Sequence, residues 1–306
     1  MTLHGLASVT IGVPDVASTT AYYTEFGLTP QDDGWLTTTD GGRQLRLVKR
    51  PHRQLVETVV RAQGPDDIAR IATALARLGL PASLESPQRL STVEPVVGTR
   101  VVIQVLPPLA QDPAPAPAYN GPGRVERRNV RADGVLRTGA VRPRRLGHAV
   151  LGTTDVAASK AFFVEGLGFK VSDYISDRAA FLRCSDEHHN MLVLAAPVNF
   201  LHHTSWQVND VDEIGRGAAR MLDGHPDRHV WGLGRHHAGS NFFWYLRDPA
   251  GNFSEYFSDM DCNLDDQLWQ PEVFDGPEGL YSWGPPPPPS FLHPDDLADL
   301  MIGSHS

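Results

Sequence analysis

Residues 232–257, GLGRHHAGSNFFWYLRDPAGNFSEYF, carry the most informative side chain of the sequence, Glu255. Phe253 and Phe257 alternate with Glu255, so on a β-strand the three side chains share one face. A carboxylate among buried aromatic rings must be paired with a cation or bound to a metal. We therefore expect Glu255 to have a specific charged or metallic partner.

Two upstream segments each place a histidine seven residues before an aspartate in an apolar, β-prone run. They are LGHAVLGTTDV, with His148 and Asp155, and LHHTSWQVNDV, with His203 and Asp210. Each histidine alone is more typical of a hydrogen-bonded strand residue than of a ligand. Together with Glu255, however, the two imidazoles form a 2-His-1-carboxylate set, which suits a non-haem Fe(II) site with open positions. We predict His148, His203 and Glu255 as metal ligands.

The neighbouring His202 makes the second ligand ambiguous. We choose His203 because it precedes Asp210 by the same interval that separates His148 from Asp155. His202 is then expected to point to the opposite face of its strand. Asp155 and Asp210 are predicted to be helix N-caps, since each directly precedes a helical pattern.

Composition bounds the function. Of 306 residues, 41% are hydrophobic and 21% are charged, and no apolar run reaches the length of a membrane span, so a soluble protein with no membrane partner is expected. The net charge of -9 argues against nucleic-acid binding. Two cysteines, Cys184 and Cys262, and the lack of a signal sequence predict a cytoplasmic protein. Nine of the 13 histidines lie between 148 and 237, which places the chemistry in the second half.

The sequence contains an internal duplication. Residues 6–28 and 146–169 share a strand, a capping aspartate, an aromatic pair and a terminal glycine, and residues 55–80 and 201–222 repeat the strand-then-helix pattern. Four similar modules in two tandem domains, an α+β fold, are predicted. Superposing the halves puts Ser8 at His148, Glu57 at His203 and Val102 near Glu255. One acid cannot hold Fe(II), so one metal per chain is expected.

The predicted domains are 1–106, without metal, and 145–258, with the metal. Residues 107–144 are rich in proline, alanine and arginine and are predicted to be a linker without a regular packed element. Residues 259–306 contain five prolines at 285–289 and form a C-terminal tail. The tail is either an exposed polyproline motif or a packed lid; a lid is favoured because five aromatic residues would otherwise face water: Trp269, Phe274, Tyr281, Trp283 and Phe291.

On these residues the sequence resembles the vicinal oxygen chelate superfamily, and within it the two-domain extradiol catechol ring-cleavage dioxygenases. The matching segments are LGHAVL with His148, the pair His188-His189, LHHTSWQV with His203, GLGRH ending at His236, and FFWYLRDPAGNFSEYF with Tyr245 and Glu255. The resemblance implies βαβββ modules, with paired modules forming open, cupped sheets, and a degenerate first half.

The resemblance also implies a function. Fe(II), with Mn(II) as an alternative, would bind both oxygens of a catechol and O2, and the ring would be cleaved beside the two hydroxyl carbons. His189, His236 and Tyr245 would be catalytic and substrate-binding groups. Taken alone they fit a surface histidine, a loop histidine and a core aromatic residue. A small-molecule catechol and O2 are the expected partners, and the protein is expected to form a homo-oligomer.

Alternative functions remain open on the same fold. One is a metal-dependent isomerase or thiol transferase, and another is a non-catalytic protein that binds aromatic compounds or drugs. A sequestering protein would bind its ligand and consume no oxygen. The sequence does not identify the catechol, and four aromatic residues could either line or merely flank the pocket: Trp206, Phe242, Phe243 and Trp244.

Overall fold

The computed structural model describes residues 2–303, apart from the side chains of residues 277, 278, 302 and 303. Met1 and residues 304–306, the ends of the predicted first domain and tail, lie outside the described residues. The described part contains one sheet of eight strands and one of nine. Every helix in it is too short or too polar to cross a bilayer.

The eight-stranded sheet consists of two modules in which a long strand, a helix and three further strands follow in order. The first contains β1 (Leu3–Val13), α1 (Val16–Glu25), β2 (Thr29–Pro30), β3 (Trp35–Thr38) and β4 (Gly42–Lys49). The second contains β5 (Gln54–Ala62), α2 (Pro65–Arg77), β6 (Ala82–Ser86), β7 (Arg89–Val93) and β8 (Arg100–Val105). The strand order is β2-β3-β4-β1-β5-β8-β7-β6, so the long strands β1 and β5 are neighbours at the centre.

Residues 107–144 connect the two sheets. They contain one short helix, α3 (Asp133–Leu136), where the sequence predicts no regular element. Arg137, just after α3, explains why this turn is held. Its guanidinium donates to the carboxylates of Asp210 and Glu213, at 2.7 and 3.3 Å, and so ties the linker to the fourth module.

The nine-stranded sheet repeats the modular plan. The third module contains β9 (Arg145–Thr153), α4 (Val156–Ala161) continuing into a π-helix (Phe162–Leu167), β10 (Lys170–Ile175), β11 (Ala179–Arg183) and β12 (Met191–Ala195). The fourth contains β13 (Phe200–Gln207), α5 (Val211–Leu222), a 3-10 turn (Pro226–Arg228), β14 (His229–Arg235), β15 (Phe242–Arg247) and β16 (Phe253–Ser258). The order is β14-β15-β16-β13-β9-β12-β11-β10-β17, where β17 (Val273–Phe274) belongs to the tail. The predicted fold of four βαβββ modules is confirmed.

Capping aspartates begin the corresponding helices, as predicted. Asp15 accepts hydrogen bonds from the backbone amides of Ala17 and Ser18. Asp155 and Asp210 each accept one hydrogen bond, from the backbone amide three residues later in the chain. These side-chain acceptors satisfy amides that have no partner inside the helix. Gly27 and Gly168, with φ of 112° and 86°, follow the helices at the predicted stops.

The first half supports the strand that carries Glu255. On the far face of β16, the Tyr22 hydroxyl lies 2.5 Å from Ser254 Oγ, and the Phe26 ring stacks on Tyr256 at 3.8 Å between centroids. Side chains alternate along a strand, so Glu255, between Ser254 and Tyr256, faces away from α1. Packing by the first half therefore fixes which side of the sheet the carboxylate occupies.

Residues 259–303 pack against the second sheet. Their elements are β17 (Val273–Phe274), a 3-10 turn (Gly276–Gly279), α6 (Pro289–Leu292) and α7 (Leu297–Gly303). Phe274 and Phe291 are buried, whereas Trp283 is 46% exposed. The Arg53 side chain, from the first half, holds this segment through two hydrogen bonds to Asp296, at 2.5 and 2.9 Å. The tail is thus attached to both halves.

Candidate active site

Strand register places the site residues in a row. Tyr245 on β15 is opposite Glu255 on β16, Glu255 is opposite Ser205 on β13, and Ser205 is opposite His148 on β9. Directly opposed residues point to the same face of a sheet, and His203 shares that face because it lies two residues before Ser205. The sheet therefore brings His148, His203 and Glu255 together from three adjacent strands.

The three predicted ligands converge on one point. Their ligand atoms all lie within 4.8 Å of one another, and all three residues are buried. Glu255 Oε2 lies 3.1 Å from His148 Nε2 and 3.7 Å from His203 Nε2. Among residues 2–303, Glu255 Oε2 and His203 Nε2 are buried polar atoms without a hydrogen-bond partner. Because such atoms are costly unless bound, two imidazoles and one carboxylate in this arrangement fit a divalent metal.

The charges of this cluster favour a cation. Burial alone would raise the pKa of Glu255, but polar contacts with His148 and His236 outweigh burial and hold the pKa below its ordinary value. Asn241 Nδ2 also donates to Glu255 Oε1 at 3.3 Å. Burial, reinforced by the neighbouring His202, holds the pKa of His203 well below its usual range. A carboxylate beside a neutral imidazole is the protonation state that a metal requires.

The sequence predicts that His202 points to the face of its strand opposite to His203, but in the structure both side chains line the same cavity. The ladder between β13 and β9 shifts register between Leu201 and His203, which marks a β-bulge at His202. The bulge turns the His202 ring to the same cavity as His203, with the two Nδ1 atoms 2.7 Å apart. His202 Nε2 donates to the backbone carbonyl of Phe291 in the tail, at 2.6 Å.

His189 is buried and lines the cavity, with its ring centroid 4.3 Å from that of His148. Its Nδ1 lies 3.0 Å from Nδ1 of His188, whose Nε2 lies 2.7 Å from Asp173 Oδ2. Burial and the neighbouring His148 hold the pKa of His189 well below its usual range. His189 is therefore a neutral imidazole beside the three candidate ligands rather than a surface side chain.

His236 and Tyr245 form the opposite wall. The His236 Nδ1–H donates to the carbonyl of Leu280 in the tail at 2.5 Å, which leaves Nε2 to accept from the Tyr245 hydroxyl at 2.9 Å. Burial, followed by the charge of Glu255, raises the pKa of Tyr245 well above its ordinary value. Tyr245 therefore keeps its proton and can donate a hydrogen bond.

One cavity of about 890 Å³ is lined by six of these residues: His148, His189, His202, His203, His236 and Tyr245. Apolar side chains from the third module and the tail make up most of its wall, among them Val150, Phe181, Leu192, Leu280 and Phe291. The four aromatic residues that the sequence left undecided do not line it: Trp206, Phe242, Phe243 and Trp244. Sequence reasoning missed the roles of Asp173, Asn241 and the tail carbonyls. The one signal in the sequence was Asp173 itself, an aspartate inside the β-prone run KVSDYI.

The described residues of the first half, from residue 2 onward, contain no equivalent cluster. By register, Ser8 lies opposite Val59 and Val59 opposite Val102, which matches the row of His148, Ser205 and Glu255. Glu57, at the position of His203, forms an ion pair with Arg100 at 2.5 Å. Among the described residues, His148, His203 and Glu255 are the one group found with metal-ligand geometry.

Comparison with known families identifies the half that contains this cluster. Residues 145–256 match the family model Glyoxalase/Bleomycin resistance protein/Dioxygenase superfamily. This half of the chain belongs to that superfamily. The superfamily fold extends over the whole chain, because the Mn(II)-bound glyoxalase from Novosphingobium aromaticivorans superposes with a TM-score of 0.75, 25% identity and 95% coverage of both chains.

Two curated relatives of the chain are named as a metapyrocatechase and a catechol dioxygenase. Metapyrocatechase 2 of Cupriavidus necator is 35% identical over 189 residues, which cover 59% of this chain and 58% of that protein. The 3-methylcatechol 2,3-dioxygenase of Pseudomonas putida is 33% identical over 125 residues, which cover 36% of this chain and 40% of that protein. The chain therefore spans about half the length of these relatives.

Proposed function

We propose that this protein is an extradiol dioxygenase, which cleaves the aromatic ring of a catechol with O2 at one metal ion. The observation that carries the proposal is the combination of two sets of groups in one cavity. His148, His203 and Glu255 form the three-ligand site, and His189, His236 and Tyr245 surround its open side. The names of the two curated relatives support the same reaction class.

The donor set fits Fe(II) best, with Mn(II) as the alternative, because imidazole and carboxylate ligands suit both ions. His148 Nε2, His203 Nε2 and Glu255 Oε2 would hold it. When bound, the metal would supply positions for both catechol oxygens and for O2, and would lower the pKa of the catechol hydroxyls. The Mn(II)-bound neighbour supports the alternative ion.

The surrounding residues handle protons. His189 is neutral, so its Nε2 can take a proton from a catechol hydroxyl and return it later as a general acid. Tyr245 keeps its single hydroxyl proton, which would turn from His236 Nε2 to a substrate oxygen when a catechol binds. Asn241 anchors Glu255 and so helps to fix the ligand geometry. The apolar wall keeps bulk water from competing for these positions.

The cavity indicates the substrate class. Its volume of about 890 Å³ is near the upper end of the usual range of small-molecule sites and far exceeds one dihydroxybenzene ring. Most of the lining is apolar, with Leu194, Pro286, Pro287 and Leu292 among its members. We propose a catechol with a sizeable apolar substituent. Arg178, exposed at the rim, is the one arginine or lysine among the lining residues.

The alternatives on this fold differ in what they need from the site. An isomerase or thiol transferase would also use the metal, and the solved neighbour named a glyoxalase shows that the fold alone does not decide. The group of His189, His236 and Tyr245 next to the ligands favours the dioxygenase. A cytoplasmic location is supported by the unpaired Cys184 and Cys262; the homo-oligomer and the domain boundaries stay predictions.

Oxygen uptake tests the proposed function. Full-length protein loaded anaerobically with Fe(II), or with Mn(II), is mixed with 3-phenylcatechol, 3-methylcatechol or catechol in an oxygen electrode. We expect one O2 consumed per catechol, a yellow ring-opened product and the highest kcat/KM for the phenyl compound. Binding of catechols without oxygen uptake would contradict the proposal and favour a sequestering protein. A colourless muconate would contradict extradiol cleavage.

A further inference from the structure

Two pairs of adjacent histidines meet in the same unusual way. In His188-His189 the two Nδ1 atoms are 3.0 Å apart, and in His202-His203 they are 2.7 Å apart. Between two neutral imidazoles, such a contact is a hydrogen bond only if one Nδ1 carries the proton and the other accepts. The tautomers within each pair are therefore coupled.

The hydrogen-bond partner of His202 determines the tautomers in the His202-His203 pair. His202 Nε2 is 2.6 Å from the Phe291 carbonyl oxygen, which can only accept, so Nε2 of His202 carries a hydrogen. His202 is buried, and its hydrogen-bond partners among the described residues are a carbonyl and an imidazole rather than a carboxylate, so the ring is neutral and its Nδ1 is a lone pair. His203 Nδ1 must then be the donor. The Nε2 of His203 is left unprotonated beside Glu255, where no described residue bonds it.

Asp173 determines the tautomers in the His188-His189 pair in the same way. Its Oδ1 accepts from the backbone amide of Glu272 at 2.8 Å, and its Oδ2 is 2.7 Å from His188 Nε2. A carboxylate only accepts, so His188 carries a hydrogen on Nε2, and a neutral His188 ring then accepts at Nδ1. His189 must donate from Nδ1. Its Nε2 is then a lone pair on a ring that lines the cavity.

We propose that His188 and His202 are positioning residues that lock the tautomers of His189 and His203. Each lock places the proton on Nδ1 of the inner histidine and keeps its Nε2 unprotonated for use in the site. A neutral histidine without such a partner carries its proton mainly on Nε2, which would block that atom. The lock itself does not depend on the proposed dioxygenase reaction; only the uses of the two Nε2 atoms, as metal ligand and as base, do.

Both locks depend on the tail. Phe291 supplies the carbonyl that binds His202, and Glu272 supplies the amide that orients the Asp173 carboxylate. Both residues belong to the segment that follows β16. The tail therefore acts on the metal ligand His203 and on His189 through hydrogen bonds, in addition to forming part of the cavity wall.

Imidazole nitrogen NMR of the metal-free, full-length protein tests the tautomers directly. We expect His189 and His203 as Nδ1–H tautomers and His188 and His202 as Nε2–H tautomers in long-range 15N–1H spectra. In His202→Phe, the His203 signal should move to the Nε2–H pattern, and in His188→Phe the His189 signal should do so. His225→Phe, at an exposed histidine, should change neither signal. Native His189 or His203 in the Nε2–H form would overturn the proposal.

Mn(II) binding separates the lock from mere packing. His202→Phe should weaken Mn(II) affinity about 10- to 100-fold, the usual effect of losing a partner of a metal-bound histidine. His202→Asn places Oδ1 near the position of Nδ1, can still accept from His203, and should restore affinity to within a few-fold of the wild type. Equal losses in both variants, or no loss in His202→Phe, would contradict the proposal.

The first lock has a kinetic test that uses the same pair of replacements. His188→Phe should bind Mn(II) normally but lower kcat on the accepted catechol about 10- to 100-fold with KM little changed, and His188→Asn should recover most of that loss. A fall in kcat that is equal in the two variants would contradict the lock. If the NMR tautomers are as expected but no catechol is turned over, the lock stands and the proposed function fails.

Discussion

Glu255 shows how one residue is placed by its neighbours on both sides. Ser254 contacts Tyr22 of α1, and Tyr256 stacks on Phe26 directly after α1, so alternation along β16 turns Glu255 toward the second sheet's cavity. Register then puts Tyr245 and Ser205 on either side of it, and His148 beyond Ser205. The small Ser205 side chain leaves room between His148 and Glu255, where a larger residue would fill the site.

The prediction at the scale of single residues concerns His189. Replacing it by asparagine removes the buried neutral imidazole that can accept and return a proton, while the three candidate ligands keep their contacts. We expect His189→Asn to retain about one metal per chain, measured by elemental analysis, and to lose roughly 10²-fold in kcat. His225→Asn, an exposed control, should keep the wild-type rate.

Two outcomes would contradict this role for His189. Loss of the metal in His189→Asn would make His189 a ligand. An unchanged kcat would show that its ring only fills space beside His148.

The sequence could predict some of these residues but not others. The seven-residue interval between each histidine and its capping aspartate was enough to select His148 and His203, because it reflects equivalent positions on duplicated strands. The direction of His202 could not be predicted, since it depends on a β-bulge that alternation does not encode. The contacts of His188 with Asp173 depend on the packing of loops that are distant in the sequence.

At the scale of elements, the tail is the feature that joins the site to the rest of the fold. Its carbonyls bind His202 and His236, and Asp296, just before α7, binds Arg53 from the first half. Arg53 also donates to the carbonyl of Leu201, directly before the bulged His202. The sequence predicted a packed tail from its aromatic residues, but backbone carbonyls leave no mark in a sequence pattern, so these contacts were not foreseen.

Two neighbouring aspartates of the tail give a matched prediction. Asp296 faces Arg53, whose side chain is only 1% exposed, so Asp296→Ala leaves a buried guanidinium without its carboxylate partner. We expect a loss of about 2 kcal/mol in the free energy of unfolding, below the value for a fully buried pair because Asp296 is 30% exposed. Asp295 pairs with Arg247 at the surface and is 67% exposed, so Asp295→Ala should change stability by less than about 0.5 kcal/mol.

Urea unfolding of the two variants makes the comparison. Limited proteolysis should also cut the tail faster in Asp296→Ala than in the wild type or in Asp295→Ala. Equal stability of the two variants would mean that Arg53 does not hold the tail.

At the scale of the whole molecule, duplication explains why one half has the chemistry and the other supports it. The halves share their modular order, and the predicted superposition of Ser8, Glu57 and Val102 on the ligands agrees with the strand register. Where the second half has three candidate ligands, the first has Glu57 paired with Arg100 and an apolar cluster around Val59 and Val102. The sequence revealed this because duplicated strands can be compared residue by residue; it could not reveal that α1 packs on the back of β16.

Metal stoichiometry in matched variants tests the central claim most directly. Wild-type protein, Glu255→Ala and Glu57→Ala are each loaded anaerobically with Fe(II), desalted and analysed for iron per chain, with folding checked by circular dichroism. We expect about one iron in the wild type, almost none in Glu255→Ala and about one in Glu57→Ala. Among residues 2–303, the one group with three candidate ligand atoms within 4.8 Å of one another lies in the second half. Full iron content in folded Glu255→Ala, or its loss in folded Glu57→Ala, would contradict a single site held by His148, His203 and Glu255.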